Sequence, residues 1–454
     1  FSSRRKGSVL IPTGPLNTSH VFDFETRLRQ VEDSINTCGE PESDSEDFAV
    51  TQSQIKPIIE RHSPNVTVSS SSSITPIVEP YKSPLTKKQK ANLRQRGKRR
   101  SKRAEEQIQA QTTLKLHVRR HCAKASHHSL RTNRDLNDGF PVTQPGWIGK
   151  RMPDGDCEHS LDDLMGKGNM TLVDWDGYTT HTITDSCGRN IGLLGGMPRQ
   201  KSWEDVQKDA AAAIRNSASL LYVPEEKRHH RRGHFISIPM GLSFGGGNPQ
   251  PGMLRQHNQN TPILDKLVQH PALVSIVGHT DSLFKLYAPR LHDYYKTTLN
   301  SLIAWSNNGY RRIFSNSVFA AATVNTGDRV VSVSHLDFKN LSWGWCSITA
   351  LGDFDPDHGG HLVLWDLKYV IRFPPGSTIL IPSALLRHSN VPIRSGEVRH
   401  SFTQYSAGGL FRFVHNNFKA DNQLKKSERE RLSREGAQRW KKGLEMFSTV
   451  DELL

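Results

Sequence analysis

Two histidines and an aspartate carry the first chemical signal in this chain. The run Val331-Ser-Val-Ser-His335-Leu-Asp337 alternates apolar and polar residues. That alternation predicts a β-strand with His335 and Asp337 on one side. His388 follows in Leu-Leu-Arg-His388-Ser-Asn-Val-Pro. Two imidazoles and one carboxylate on one face of a metal, with the other positions open, form the donor set of non-haem Fe(II) oxygenases. Farther on, Arg399-His-Ser401 lies on another strand-like run. Arg399 offers a planar fork for a carboxylate, and Ser401, on the same strand face, a hydroxyl for a second bond. A dicarboxylate whose far end is held there could chelate a metal with its near end.

Each residue also has a plainer reading. A second His-x-Asp pair stands at His279-Thr-Asp281, in a run of helical spacing where positions i and i+2 diverge, and reads as a solvated helix edge. His335 and His388 could be satisfied histidines of a β core, and Arg399 a surface ion pair. The neighbours Phe402, Gln404, Tyr405, Leu410, Phe411 and Phe413 put Arg399 inside a packed element. His117, His121, Cys122, His127 and His128 fit no standard zinc spacing and sit among cations, so they read as a basic loop.

The elements that must position these groups follow from turn and periodicity signals. From Ile313 the chain reads as short strands: 317–324, 330–334, 346–351, 361–365, 369–373, 378–382, 390–393 and 399–406. Gly327, Gly359-Gly360, Pro374-Pro375-Gly376 and Gly396 separate them. Upstream, Thr171–Gly177 and His181–Gly188 read as strands, and Ser202 opens a helix running to Arg215. Asn260–Trp305 reads as helix broken at Pro271 and Pro289. The expected fold class is α+β, a jelly-roll of about 313–415 with helical support. Gly245, Gly246 and Gly247, in Phe-Gly-Gly-Gly-Asn-Pro-Gln-Pro-Gly, lack a following Gly-Lys-Ser/Thr. They read as a lid or DNA-contacting loop, or as a connector, and not as a nucleotide-triphosphate loop.

Composition sets the outer limits. The 454 residues carry 60 Lys or Arg against 45 Asp or Glu, a net charge of +15 and a pI near 9.6, which favours a polyanionic partner. Hydrophobic residues make up 35%, so part of the chain buries no core. Residues 1 to about 80 are polar, with a five-serine run at Ser69–Ser73, and read as disordered. Lys82–Arg103 then holds eleven Lys or Arg and no acid in 22 residues. That density reads as a nuclear import signal or a phosphate-binding arm, or as a solvated tail. Residues 419–442 hold nine basic and four acidic residues and read as a C-terminal helix. The five cysteines are scattered, with no Cys-x-x-Cys pair, which speaks against a disulfide framework and for a reducing compartment. No apolar run is long enough for a membrane span. The first residue is Phe1 rather than Met, which leaves the native start open. The organisation expected is a disordered region over 1–145, a catalytic domain over 146–418 and a basic helix over 419–454.

Residues 344–414, from Gly-Trp-Cys-Ser-Ile through Leu-Leu-Arg-His-Ser-Asn and Val-Arg-His-Ser-Phe to Phe-Arg-Phe-Val, resemble the fungal, transposon-associated branch of the TET/JBP family. The similarity runs from about Thr171 to Phe418 and includes Thr-Leu-Val-Asp-Trp-Asp-Gly, Phe-Gly-Gly-Gly and Ser-Val-Phe-Ala-Ala-Ala-Thr-Val-Asn. The resemblance implies a double-stranded β-helix, Fe(II) on His335, Asp337 and His388, and 2-oxoglutarate held by Arg399 and Ser401. It also implies oxidation of a methyl group by O2, with 2-oxoglutarate decarboxylated to succinate and CO2. The family's usual target is 5-methylcytosine in DNA, flipped out of the duplex. Asn340 stands three positions past the aspartate, where the family often has an acid that contacts the base. Tyr405 is the aromatic expected to stack on it. Asn340 opens N6-methyladenine as a competing substrate, and both residues could instead be ordinary packing. A nuclear monomer is the expected form. A non-catalytic DNA-binding remnant of a mobile element and an oxygenase acting on RNA or protein are the other readings.

Overall fold

The computed structural model describes residues 121 to 453, apart from 126, 200, 201, 246, 308 and 328. The elements below lie in the unit that holds Ala123–Leu454. The basic run 82–103 and most of the 1–145 region fall outside the described residues.

In chain order the first half contributes β1 (Leu130–Arg131), α1 (Leu161–Met165), β2 (Thr171–Val173), β3 (His181–Thr184) and β4 (Asn190–Gly195). Next come α2 (Ser202–Ala218), β5 (Ile236–Ser243), β6 (Gly252–Met253), α3 (Thr261–Val268), α4 (Pro271–Tyr287) and α5 (Pro289–Trp305). The second half adds β7 (Ala321–Thr326), β8 (Cys346–Asp353), β9 (Leu362–Leu364), β10 (Tyr369–Ile371), β11 (Thr378–Ile381), β12 (His388–Asn390) and β13 (Val398–Tyr405). Helices α6 (Gly408–His415), α7 (Lys426–Arg434), α8 (Gly436–Leu444) and α9 (Val450–Leu453) close the chain.

Two sheets build a double-stranded β-helix of α+β class. The larger has nine strands in the order β1-β3-β4-β11-β8-β13-β7-β5-β6, and the smaller has four, β12-β9-β10-β2. The large sheet therefore recruits β1 and β3 to β6 from well before residue 313, beyond the 313–415 core that turn spacing outlines. Residues 130–131 already pair with Ile183–Thr184. Pro271 and Pro289 each open a helix, because a proline at the first helical position gives up no intrahelical bond. Helices α2, α3 and α4 cover one face of the large sheet through Trp203, Ile214, Leu264, Ile276 and Val277 against Met240, Val324, Leu351 and Phe402. Each fully buried side chain of this size contributes roughly 1.5–3 kcal/mol. The small sheet packs its outer face on α1 through Leu164, Met170, Val363, Val370 and Val391.

Two expectations change. Residues 330–334 join neither sheet; this stretch is extended chain tied across the barrel by single bridges. Its N–H and C=O groups go to a loop on one side and to the His388 region on the other, so no ladder forms. Residues 419–453 form three helices instead of one. The chain turns at Gly436, where a Cβ would lie 1.6 Å from the Gln144 carbonyl, a closeness that glycine alone tolerates. Leu444, Met446 and Phe447 are buried there, and the Arg439 guanidinium lies 4.9 Å over the Trp147 ring. Among the described residues no helix is long and apolar enough to cross a membrane.

Candidate metal centre

The backbone brings the two histidines together before their side chains do anything. His335 N–H donates to the His388 carbonyl at 3.0 Å and His388 N–H to the His335 carbonyl at 3.0 Å, a reciprocal antiparallel bridge. Asp337 N–H donates to Ser383 O at 3.0 Å, anchoring the third group to the turn ahead of β12. The imidazole centroids are then 4.3 Å apart.

Each ring is oriented through its Nδ1. His335 Nδ1 lies 2.8 Å from Val333 O and His388 Nδ1 2.9 Å from Leu386 O. A carbonyl only accepts, so Nδ1 carries the proton and Nε2 keeps its lone pair for a ligand. His335 Nε2 stands 3.9 Å from one Asp337 oxygen, and His388 Nε2 3.8 Å from the other. One donor atom from each of the three residues lies within 4.8 Å of the others. Donor atoms gathered this closely could be held by one divalent cation.

The charge states suit a metal as well. Burial, reinforced by His388, holds the His335 imidazole well below its ordinary value, so it is neutral. Burial pushes the Asp337 carboxyl up, but the positive charge around it, with the Arg232 and Arg231 guanidiniums included, outweighs that and holds it below its ordinary value, so it is ionised. A neutral imidazole at His335 and an ionised carboxylate at Asp337 are the protonation states a divalent cation needs.

Strand β13 supplies the next layer. Arg399 and Ser401 are 2% and 5% exposed and share a strand face with Tyr405. On that face Arg399 reaches Val330 O, in the extended stretch that leads to His335. The Arg399 guanidinium has no carboxylate partner among the described residues. Its Nε lacks a hydrogen bond, Nη1 reaches Val330 O at 3.5 Å, and the Phe354 ring lies 5.9 Å away. Burial lowers it to about 10. A buried cation left this bare is costly unless an anion joins it.

The remaining expected residues fall as follows. Asn340 Nδ2 donates to Ser383 Oγ at 3.1 Å, and Asn340 N–H to Asp337 O at 2.9 Å, so it is fixed to the segment that fixes Asp337. The Tyr405 hydroxyl accepts from Thr323 Oγ1 at 3.2 Å. Gly245 and Gly247 sit at the tip of the β5–β6 hairpin, both at positive φ with open space around them. No hydrogen bond among the described residues joins that tip to the triad, and Gly246 lies outside the described residues. His279 and Asp281 are not a solvated edge. His279 Nε2 is 3.1 Å from Gly196 O, while Asp281 pairs with His292 at 3.1 Å and accepts from Val318 N–H at 2.9 Å.

Three residues near the site escape the sequence reading. Arg232 Nη1 is 3.4 Å from Asp337 Oδ1. It is delivered by a tight turn in which His230 and Gly233 exchange backbone hydrogen bonds and Val333 N–H donates to Arg232 O at 2.9 Å. Residues 227–232 are a basic run in the sequence, but only tertiary pairing brings Arg232 to the metal segment. Asn325 Nδ2 donates to Ser401 Oγ at 3.0 Å across the β7–β13 ladder. Cys346 is 2% exposed, and burial, together with the Asp337 carboxylate, keeps its thiol protonated.

No family model matches the chain, and no curated protein matches it. Solved structures do overlap it. NgTET1 in complex with 5mC DNA shares 14% identity over 55% of this chain and 90% of that one, with a TM-score of 0.35. A 2OG-Fe(II) oxygenase family oxidoreductase from Burkholderia pseudomallei shares 19% identity over 42% and 76% of the two chains, with a TM-score of 0.25. OsALKBH1 shares 12% identity over 47% and 96%, with a TM-score of 0.26.

Proposed function

We propose that this chain is an Fe(II) and 2-oxoglutarate dependent dioxygenase of the TET/JBP kind, from its fungal transposon-associated branch, that oxidises 5-methylcytosine in DNA. One observation carries the reading. Two imidazoles and a carboxylate converge on one point, while β13 presents a buried guanidinium that lacks a carboxylate partner among the described residues. A dicarboxylate co-substrate completes both.

His335, Asp337 and His388 would hold the iron, which with 2-oxoglutarate and O2 supplies the oxidising power for inserting oxygen into a methyl C–H bond. Arg399 neutralises the far carboxylate, and Ser401, whose Oγ accepts from Asn325, has its own proton free to donate to it. Val333 O and Leu386 O hold each Nδ1 proton and so keep the rings turned. Burial of the histidines keeps bulk water from the reacting face. A methyl inside a duplex cannot reach a centre this deep, so the target nucleotide must be flipped out. Tyr405 would stack on the base and Asn340 contact its edge, and the glycine-rich hairpin tip would contact the strand. An amide at 340 where an acid would favour cytosine makes N6-methyladenine the second reading. The net charge of +15 suits a nucleic-acid partner and a nuclear, monomeric protein.

The test is incubation with Fe(II), 2-oxoglutarate and duplexes carrying either methylated base, with nucleosides analysed by mass spectrometry. Hydroxymethylated, formylated or carboxylated cytosine supports the reading. Loss of the methyl from adenine alone transfers it to the second. Normal iron binding with neither product refutes both.

A further inference from the structure

The metal segment is crossed by a strap of opposite charge. Residues 150–159 have no regular secondary structure and are largely exposed, and they carry acids at alternate positions, Asp154, Asp156 and Glu158. Gly155 N–H donates to Ser334 O at 2.6 Å, which places the middle of the strap beside His335. On one side Asp154 accepts two bonds from Arg231 Nη1, at 2.8 and 2.7 Å. On the other, Glu158 accepts from both Nη atoms of Arg329, at 3.3 and 2.5 Å.

Both arginines are built into the site's surround. Arg231 Nη2 reaches Leu336 O at 3.4 Å, its guanidinium lies 5.9 Å from the Phe338 ring, and the next residue, Arg232, meets Asp337. Arg329 is bridged to Arg399 through the backbone. Yet the ion pairs themselves face water: side-chain exposure is 36% for Arg231 and 20% for Asp154, and 50% for Arg329 and 35% for Glu158. Pairs this exposed contribute little to stability, so the fold does not need them. A guanidinium fork fits phosphate as well as carboxylate, and in a chain with a net charge of +15 three acids gathered on this rim run against the overall charge.

We propose that Asp154 and Glu158 stand in for phosphates. Arg231 and Arg329 are docking points for the backbone of the nucleic acid whose base enters the metal centre, and strap 154–158 gives way when that backbone arrives. The choice of polyanion rests on the function proposed above, but the docking itself requires no turnover and can be measured without it.

The experiment is salt-dependent binding of an unmethylated DNA duplex to the full chain, followed by fluorescence anisotropy. Wild type is compared with D154N/E158Q and with D154N/E158Q/R231Q/R329Q, which has the wild-type net charge. The double variant should bind more tightly, with log K falling more steeply against log salt by about 0.9 per freed arginine. At 0.1 M salt, taking 1 M as the reference, that slope amounts to as much as about eightfold per arginine. The quadruple variant should lose the whole gain. Unchanged affinity in a folded double variant, or a gain that persists in the quadruple variant, would overturn the proposal. Weaker binding with a lowered melting temperature would also overturn it, by showing the strap to be structural. Tighter binding here, with no oxidised base from the methylated duplexes of the activity assay, would leave the docking standing and remove the enzymatic reading.

Discussion

Replacing Arg399 by methionine separates what the site costs from what it does. Burial lowers this guanidinium well below its ordinary value, to about 10. Holding the charge in the folded state therefore costs about 3 kcal/mol. Methionine keeps most of the side-chain volume and removes that penalty along with the unpartnered Nε. Without co-substrate, Arg399→Met should be more stable than wild type by up to about 3 kcal/mol, a rise in Tm of roughly 5 °C for a chain of this size. With 2-oxoglutarate at a hundredfold its Kd, wild type gains about 2.7 kcal/mol while the variant gains nothing. Thermal denaturation of anaerobic Fe(II)-loaded protein, with and without 2-oxoglutarate, reads both effects. A variant less stable than wild type without co-substrate would mean that Arg399 already has an anion. An equal 2-oxoglutarate shift in the two proteins would remove Arg399 from the binding site.

His335→Ala should abolish succinate release and weaken Fe(II) binding; wild-type turnover in that variant would refute the ligand assignment. Burial, then Arg372, lowers His361 to about 4. Its unfolded form takes a proton near 6.5, so the native state loses stability as pH falls from about 6.5 toward 4, by about 2 kcal/mol between pH 7 and 5. Urea titrations at the two pH values should show His361→Gln losing that much less than wild type. Gly443→Ala places a Cβ 2.4 Å from the Trp343 ring. It should cost about 1–3 kcal/mol and change the near-UV signal of the tryptophans; unchanged Tm would mean that α8 shifts freely.

Some of this protein was legible in one dimension. Pro271 and Pro289 mark helix starts because proline fixes φ and lacks an N–H, whatever the rest of the chain does. The alternation along 398–405 placed Arg399, Ser401 and Tyr405 on one face, since side-chain period in a strand is a local property. His335 and Asp337 stood out as possible ligands by residue type, yet the strand assumed for them does not exist as a ladder.

What remained was decided by contacts between residues far apart in the sequence. The pairing of His335 with His388 is a backbone bridge across the barrel, and no local propensity encodes its partner. Arg232 and Asp337 are 105 positions apart, and Asn325 and Ser401 are 76. The bareness of Arg399 is likewise a fact about what surrounds it, since burial and hydrogen bonding belong to the assembled sheets rather than to any segment. Residue types thus determined which chemistry was available; long-range pairing decided which of those residues meet, because only closure of the two sheets brings donors from distant strands within bonding distance.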